Sequence, residues 1–168
     1  MEFRKLTPRD STAFLAAYEA TKKNDPNFSK GFTEGMTFDQ YLALLDATER
    51  GENLPPDHVP STIYFAFIGD EIAGRLMFRH HLNDRLLKSG GHLGYVVLER
   101  HRGRGIATEL LRRGLELAKA RGIDRVLLTC DEKNAASRRV IEKHRGVLED
   151  IQPHPDSGVP FCRYWITL

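Results

Sequence analysis

Cysteine is almost missing from this chain: two of 168 residues, Cys130 and Cys162. That is too few for a disulfide framework, and their separation matches no metal-ligand spacing, so a reducing, cytoplasmic setting and no metal are expected. An excess of one charge is missing as well. Lys and Arg number 25 against 23 Asp and Glu, a formal net charge of +2. Bulk electrostatics therefore gives no support to a nucleic-acid partner. No apolar run reaches membrane-spanning length, and Met1-Glu2-Phe3-Arg4 carries no apolar leader core, so no membrane partner is expected either. Repeats and low-complexity stretches are lacking too. A chain of this length reads as one domain, 1–168.

What is present is concentrated. An apolar run through Tyr95, Val96, Val97 and Leu98 ends in Glu99-Arg100-His101-Arg102-Gly103-Arg104-Gly105, which opens into a helix with Ile106, Leu110, Leu111, Gly114, Leu117 and Ala118 on one face. Glycines let backbone N–H groups approach an anion, and a helix N-terminus adds about half a positive charge. Arg100, Arg102 and Arg104 add more, with bidentate geometry. Such a loop is built to cradle a pyrophosphate. It is not a Walker A loop, which needs four residues between its glycines and then Gly-Lys-Ser/Thr. A dinucleotide fingerprint is the nearer rival, with Gly103-x-Gly105 before a helix and Asp131 ending the next strand; against it, Thr108 stands where the third glycine belongs.

The pattern Arg102-x-x-Gly105-x-Ala107 resembles the Q/R-x-x-G-x-G/A signature of the GCN5-related N-acetyltransferases (GNAT). Asn134-Ala135-Ala136-Ser137 is similar to the Asn-x-x-Ser/Ala helix start that follows the loop in that family. The resemblance runs from about Ile63 to the C-terminus. It implies an α/β fold: a mixed, mostly antiparallel central sheet with a splayed parallel strand pair and helices on both faces. It also implies acetyl-CoA as co-substrate, bound by Tyr95, Val96, Val97, Arg102, Gly103, Arg104, Gly105, Ile106, Ala107, Thr108, Asn134 and Ser137, with Arg138 and Arg139 as candidates for its 3′-phosphate. The activity it implies is transfer of acetyl to a primary amine, a small molecule or a peptide, by direct attack in a ternary complex. A C-terminal strand at a homodimer interface is a further family expectation.

The order of elements read from periodicity and turn residues agrees with that fold. A short strand near Phe3 leads to a helix capped by Thr7, with Phe14, Leu15, Ala17 and Tyr18 on its apolar face. A second helix, capped by Thr37, ends by Gly51. A hairpin follows, from Ile63 through the Gly69-Asp70 turn to His80, and then a polar loop from Leu82 to Gly91. The strand, loop and long helix come next, with Gly122 as its stop. The last elements are a strand at Arg125–Cys130, a helix stopped by Gly146, and a final strand pair.

Acetyl transfer needs a neutral amine, and alkyl amines have a pKa of about 10.4, so something must take a proton. A backbone N–H on the strand Tyr95–Val97 is placed to stabilise the thioester oxygen. Here the chain departs from the family. Ile141 stands where many relatives carry an acidic Tyr, and Thr129 stands where some carry a basic Glu. Catalytic residues are therefore open, with Tyr95, His92 and Tyr164 as candidates and His80 and His81 nearby. Cys130, with no His close in sequence, reads as packing rather than a nucleophile. The alternative is a non-catalytic acyl-CoA-binding sensor or regulatory module that kept the cradle and lost its proton-transfer groups. The acceptor is expected to be framed by residues 24–60 and 153–160, where Glu34, Asp39, Asp46, Glu49 and Asp57 form an acidic surface.

Overall fold

A computed structural model describes residues 1–168. Strands β1 (Glu2–Arg4), β2 (Ser61–Ile68), β3 (Glu71–Arg79) and β4 (Leu93–Val97) form one antiparallel sheet in that order; β5 (Arg125–Asp131), β6 (Val147–Pro153) and β7 (Pro160–Thr167) form another in the order β5-β7-β6. Helices α1 (Ser11–Thr21) and α2 (Phe38–Arg50) cover one face of the first sheet. Their Phe14, Phe38 and Tyr41 meet Ile63, Phe65, Phe67, Ile72 and Met77. A short α3 (Asp84–Lys88) precedes β4, and α4 (Ile106–Ala120) covers the opposite face, where Leu76, Phe78, Leu93, Leu110 and Leu111 are buried. Helix α5 (Ala135–Lys143) follows β5. Helices thus lie on both faces, as expected.

The single central sheet of the sequence reading is divided in two. The chain just before β4 meets the middle of β5, where Gly91 faces Leu128 and the His92 N–H donates to the Leu127 carbonyl at 2.8 Å. That contact is locally antiparallel, and no ladder between β4 and β5 follows it. The two strands are splayed as expected, but no parallel pairing joins them. The phase of the β3–β4 ladder decides what faces the gap. Arg79 donates to His92 O and Leu98 donates to Ala73 O, and antiparallel bonding alternates from those points. Tyr95 and Val97 therefore turn their N–H and C=O groups away from β3, toward β5.

Local rules account for most elements. The Thr37 hydroxyl accepts from the Gln40 N–H while Gln40 bonds back to the Thr37 N–H, a capping box that starts α2. In α4, Ile106, Leu110, Leu111, Gly114 and Ala118 are buried at helical spacing, while Glu109, Arg112 and Arg113 pair on the solvent face. Gly114 is required by close approach: a Cβ there would stand 2.9 Å from Leu93 Cδ1 and 3.1 Å from Leu76 Cδ2.

Three expectations are corrected. Leu15 is 41% exposed rather than part of the α1 face, because Phe14, Ala17 and Thr21 take the buried stripe. The Leu82–Gly91 loop contains α3, nucleated by Asn83, whose Oδ1 accepts from the Leu86 N–H at 3.0 Å; five residues are too few to display a period. Gly146 does not stop α5 by adopting a left-handed turn. Arg145 takes that conformation, with φ 63°, and Gly146 is demanded by packing, since a Cβ would lie 2.4 Å from Ile141 Cγ2.

Candidate active site

The gap between the splayed strands opens into a cavity of about 650 Å³. One wall is β4, with Tyr95, Val96 and Val97; the floor is the loop and the first turn of α4, with His101, Arg102, Gly103, Gly105, Ile106, Ala107 and Thr108. The far wall is α5 and its approach, with Asn134, Ala136, Ser137, Arg139, Val140 and Lys143, and Asp25 reaches in from the α1–α2 connection.

The loop is shaped by its main chain. After β4 the chain makes a single 3-10 turn, Glu99–His101, closed by Arg102 N–H to Glu99 O at 3.1 Å. Gly103 and Gly105 then adopt φ of 75° and 79°, and an added Cβ at either would meet no protein atom within 4 Å. The space above them is open. The N–H groups of Gly103, Arg104, Gly105, Ile106, Ala107 and Thr108 find no acceptor in the protein; the first bond of the helix is Glu109 N–H to Gly105 O. Consecutive unpaired donors at a helix N-terminus, facing a cavity, form an anion site. Arg102 folds back, its Nε 3.2 Å from Val97 O, and so ties the loop to the end of β4.

On the far wall, Asn134 is the N-cap of α5, its Oδ1 accepting from the Ser137 N–H at 3.0 Å; its side-chain amide has no partner. The Ser137 hydroxyl lies 2.9 Å from the Tyr95 phenol, a tie across the gap. Burial pushes the Tyr95 phenol up to about 12, with the Ser137 bond opposing it, so Tyr95 stays protonated and can act as a donor but not as a base near neutrality.

Most residues expected around the cofactor come together here: Tyr95, Val96, Val97, Arg102, Gly103, Gly105, Ile106, Ala107, Thr108, Asn134 and Ser137 all line the cavity. Arg104 is exposed and not part of the wall. Of the two basic residues considered on α5, Arg139 lines the cavity, and Arg138 is engaged elsewhere.

Two of the three catalytic candidates are not brought to the cavity. His92 is buried at the root of β4, its Nδ1 accepting from the Leu127 N–H at 3.0 Å; burial and then Arg79 push its pKa down to about 4, so it is neutral and occupied. Tyr164 is buried in the second sheet, donating to Glu142 at 2.9 Å and accepting from Arg138 Nε at 3.0 Å. His80 bonds Thr62 at 2.8 Å. Thr129 accepts from the Gly90 N–H at 3.2 Å, and Ile141 is core, so neither family position carries an acid or base. Cys130 is pushed up to about 11 by burial and by Cys162, which keeps the thiol protonated.

The sequence reading missed Asp25, His101 and Lys143. Asp25 is the one carboxylate on the cavity wall. It stands far from every motif, in a stretch read only as loop, and no local pattern marks it. His101 sits inside the loop motif, its Nε2 between Arg100 at 3.2 Å and Glu71 at 3.4 Å, its Nδ1 buried without a partner. An imidazole flanked by arginines is hard to read from sequence as anything but part of a basic run.

The fold, with two strands parting beside a cavity, is that of an acetyltransferase class. The chain belongs to the GNAT acetyltransferases: the model of the Acetyltransferase (GNAT) family matches residues 23–147. The match starts well before Ile63 and thus takes in Asp25. No curated protein matches the chain. Among solved structures it is similar to an N-acetyltransferase from Staphylococcus aureus Mu50 (20% identity, TM-score 0.67, covering 99% of this chain and 97% of that one). It is also similar to a ribosomal-protein-alanine N-acetyltransferase from Brucella melitensis (17% identity, TM-score 0.70, 100% of each). A third is a ribosomal L7/L12 alpha-N-protein acetyltransferase in complex with coenzyme A (18% identity, TM-score 0.67, 99% and 93%). At these identities the likeness is one of fold. No helix of the chain is long and apolar enough to cross a membrane.

Proposed function

We propose that this single domain, residues 1–168, transfers the acetyl group of acetyl-CoA to a primary amine by direct attack in a ternary complex. The observation that carries the reading is the run of unpaired N–H groups from Gly103 to Thr108, set under open space at the end of the splayed strands. A diphosphate fits such a run, because its charge meets fixed donors and the positive end of α4. Arg139 and Lys143, on the α5 wall, suit a further phosphate. The pantetheine arm would lie in the gap, bonded by the outward N–H and C=O groups of Tyr95 and Val97 as an added strand.

At the reacting end this chain supplies few side chains. An N–H of β4 facing the gap polarises the thioester oxygen, an effect worth about 3–4 kcal/mol in comparable sites. Tyr95 remains a neutral donor held by Ser137. Asp25 is the group that receives the amine proton, directly or through water, since every other acid on the wall is missing and His92 is engaged. Release of the thiolate needs no dedicated acid, because a thiol of pKa about 8.5 is a fair leaving group.

The test is calorimetric titration with acetyl-CoA followed by thiol release with a panel of amines. Ligand at 100 times its Kd should add about 2.7 kcal/mol of stability, and release should depend on the amine. Tight binding with no amine-dependent release would favour a binding module instead, and better stabilisation by NAD than by CoA would remove the acetyl-CoA assignment.

A further inference from the structure

The face of the first sheet under α1 and α2 carries an unusual charge. Arg75 and Arg79 stand four positions apart along β3, on the same side as Met77 between them, and across the ladder Arg75 is paired with Val96, a wall residue of the cavity. Arg75 is 5% exposed. Its Nη2 donates to the carbonyl of Asn27, and its Nε is buried with no acceptor at all. Arg79 donates only to the carbonyls of Gly90 and Gly91, at 3.1 and 2.9 Å. Neither arginine belongs to an ion pair, whereas exposed arginines elsewhere do.

Two more cations approach the same place. Lys30 and Arg85 are close enough to act on Arg79, and the Lys30 amine is lowered first by desolvation and then by Arg79, Arg75 and Arg85. Burial drives both guanidinium values down, that of Arg79 to about 10, with Arg75 and Arg85 adding to the effect. A buried guanidinium without a carboxylate is costly to leave unpaired. The carboxylate that acts on Arg75 is Asp25, which lies on the cavity wall. Between the two arginines, Gly94 is paired with Met77, and a Cβ on Gly94 would meet nothing within 4 Å. The space beside β4 is open at that point.

We propose that the acceptor amine carries an anionic group, a carboxylate or a phosphate, which settles against Arg75 and Arg79 while its amine faces Asp25 and the open edge of β4. The inference rests on the acetyl-transfer reading and names its substrate class. It reverses the expectation from the acidic residues of the 24–60 segment. Of Glu34, Asp39, Asp46, Glu49 and Asp57, Glu49 is bound to Lys5 Nζ at 2.8 Å, and none lines the cavity, where Asp25 is the one acid. The cationic side chains select for an anion, and the single carboxylate at the lip suits the amine end of a zwitterion.

The experiment compares the wild type with Arg75→Gln and Arg75→Lys in three measurements. Coenzyme A affinity by calorimetry comes first: its absence in the wild type would remove the acetyl-transfer reading and the acceptor class with it, whereas retained affinity in all three isolates the acceptor question. Next, kcat/KM is measured for matched amines, amino acids against their carboxamides and phosphoethanolamine against ethanolamine. The anionic member should be favoured at least about tenfold, through KM, and Arg75→Gln should abolish that preference while Arg75→Lys keeps part of it. The pair with the larger preference tells carboxylate from phosphate. Third, N-acetylated amino acids and inorganic phosphate are titrated into the CoA-loaded protein, so that binding is read without turnover. Equal or faster turnover of the neutral amines, or no binding of any anionic probe, would overturn the proposal. Should Arg75→Gln not fold, Arg79→Gln carries the same comparison.

Discussion

The two sides of the cleft, proposed for cofactor and acceptor, offer different parts of the residue. On the cofactor side the groups on offer are main-chain N–H groups, from Gly103 to Thr108 and along the free edge of β4. On the side proposed for the acceptor they are side chains, Arg75 and Arg79 from one strand and Asp25 from a loop some fifty positions earlier in the chain. Main-chain recognition needs a particular backbone path, and such a path leaves a local mark: glycines at positive φ followed by a helix. Side-chain recognition needs only that distant residues meet. The first can be shared by proteins that acetylate different things; the second is where such proteins are free to differ.

The sharpest way to break this contrast is Gly105→Val. The new side chain would enter space that no protein atom fills, at a backbone φ of 79° that β-branched residues strongly disfavour. Affinity for coenzyme A, read by calorimetry, should fall by more than about 100-fold, or roughly 3 kcal/mol, while circular dichroism retains the native signature. Unchanged affinity would show that the cradle is elsewhere. Asp25→Asn probes the other side. It should lower kcat at pH 7 by about 10²-fold with coenzyme A affinity intact, and the deficit should narrow as pH rises toward the pKa of the acceptor amine. An unchanged kcat would leave proton removal to water and β4 alone.

The remaining tests concern residues that the structure withdraws from the chemistry. Unfolded His92 binds a proton below about pH 6.5, whereas the folded protein resists that proton down to about pH 4. Stability should therefore be fully present above pH 6.5 and decline as pH falls toward 4, by at most about 3 kcal/mol from this residue. Thermal melts across that window should slope less in His92→Gln; an equal slope would mean that His92 titrates normally. Smallest of all is Tyr164→Phe. Loss of its bonds to Arg138 and Glu142 should cost about 1 kcal/mol of stability and change kcat less than about threefold. A fall of 10²-fold would return Tyr164 to the catalytic set.

Much of this was legible in the sequence wherever a local pattern carries the physics. The Thr37 cap, the Gly69-Asp70 turn, the buried stripe from Ile106 to Ala118 and the loop glycines all act within a few residues of themselves, and each stands where it was read. The failures share a cause. Short α3 has no period to detect, and only Asn83 betrays it. Gly146 looked like a helix stop, yet it is small because Ile141 packs against it. His92 and Tyr164 were attractive by chemistry alone, and their partners, Leu127, Arg138 and Glu142, come from other elements.

By itself, then, the sequence determined most of the order of elements and the glycine-rich turn that opens α4, because hydrogen bonding, chirality and hydrophobic periodicity are local; the helices on both faces came with the family resemblance. Only the tertiary structure decided that the sheet is divided in two, that Asp25 reaches the cavity wall, and that Arg75 is buried without a carboxylate to pair with. Those outcomes depend on which surfaces are pressed together across long stretches of chain. Burial and charge are properties of neighbours in space, and a sequence lists only neighbours along the chain.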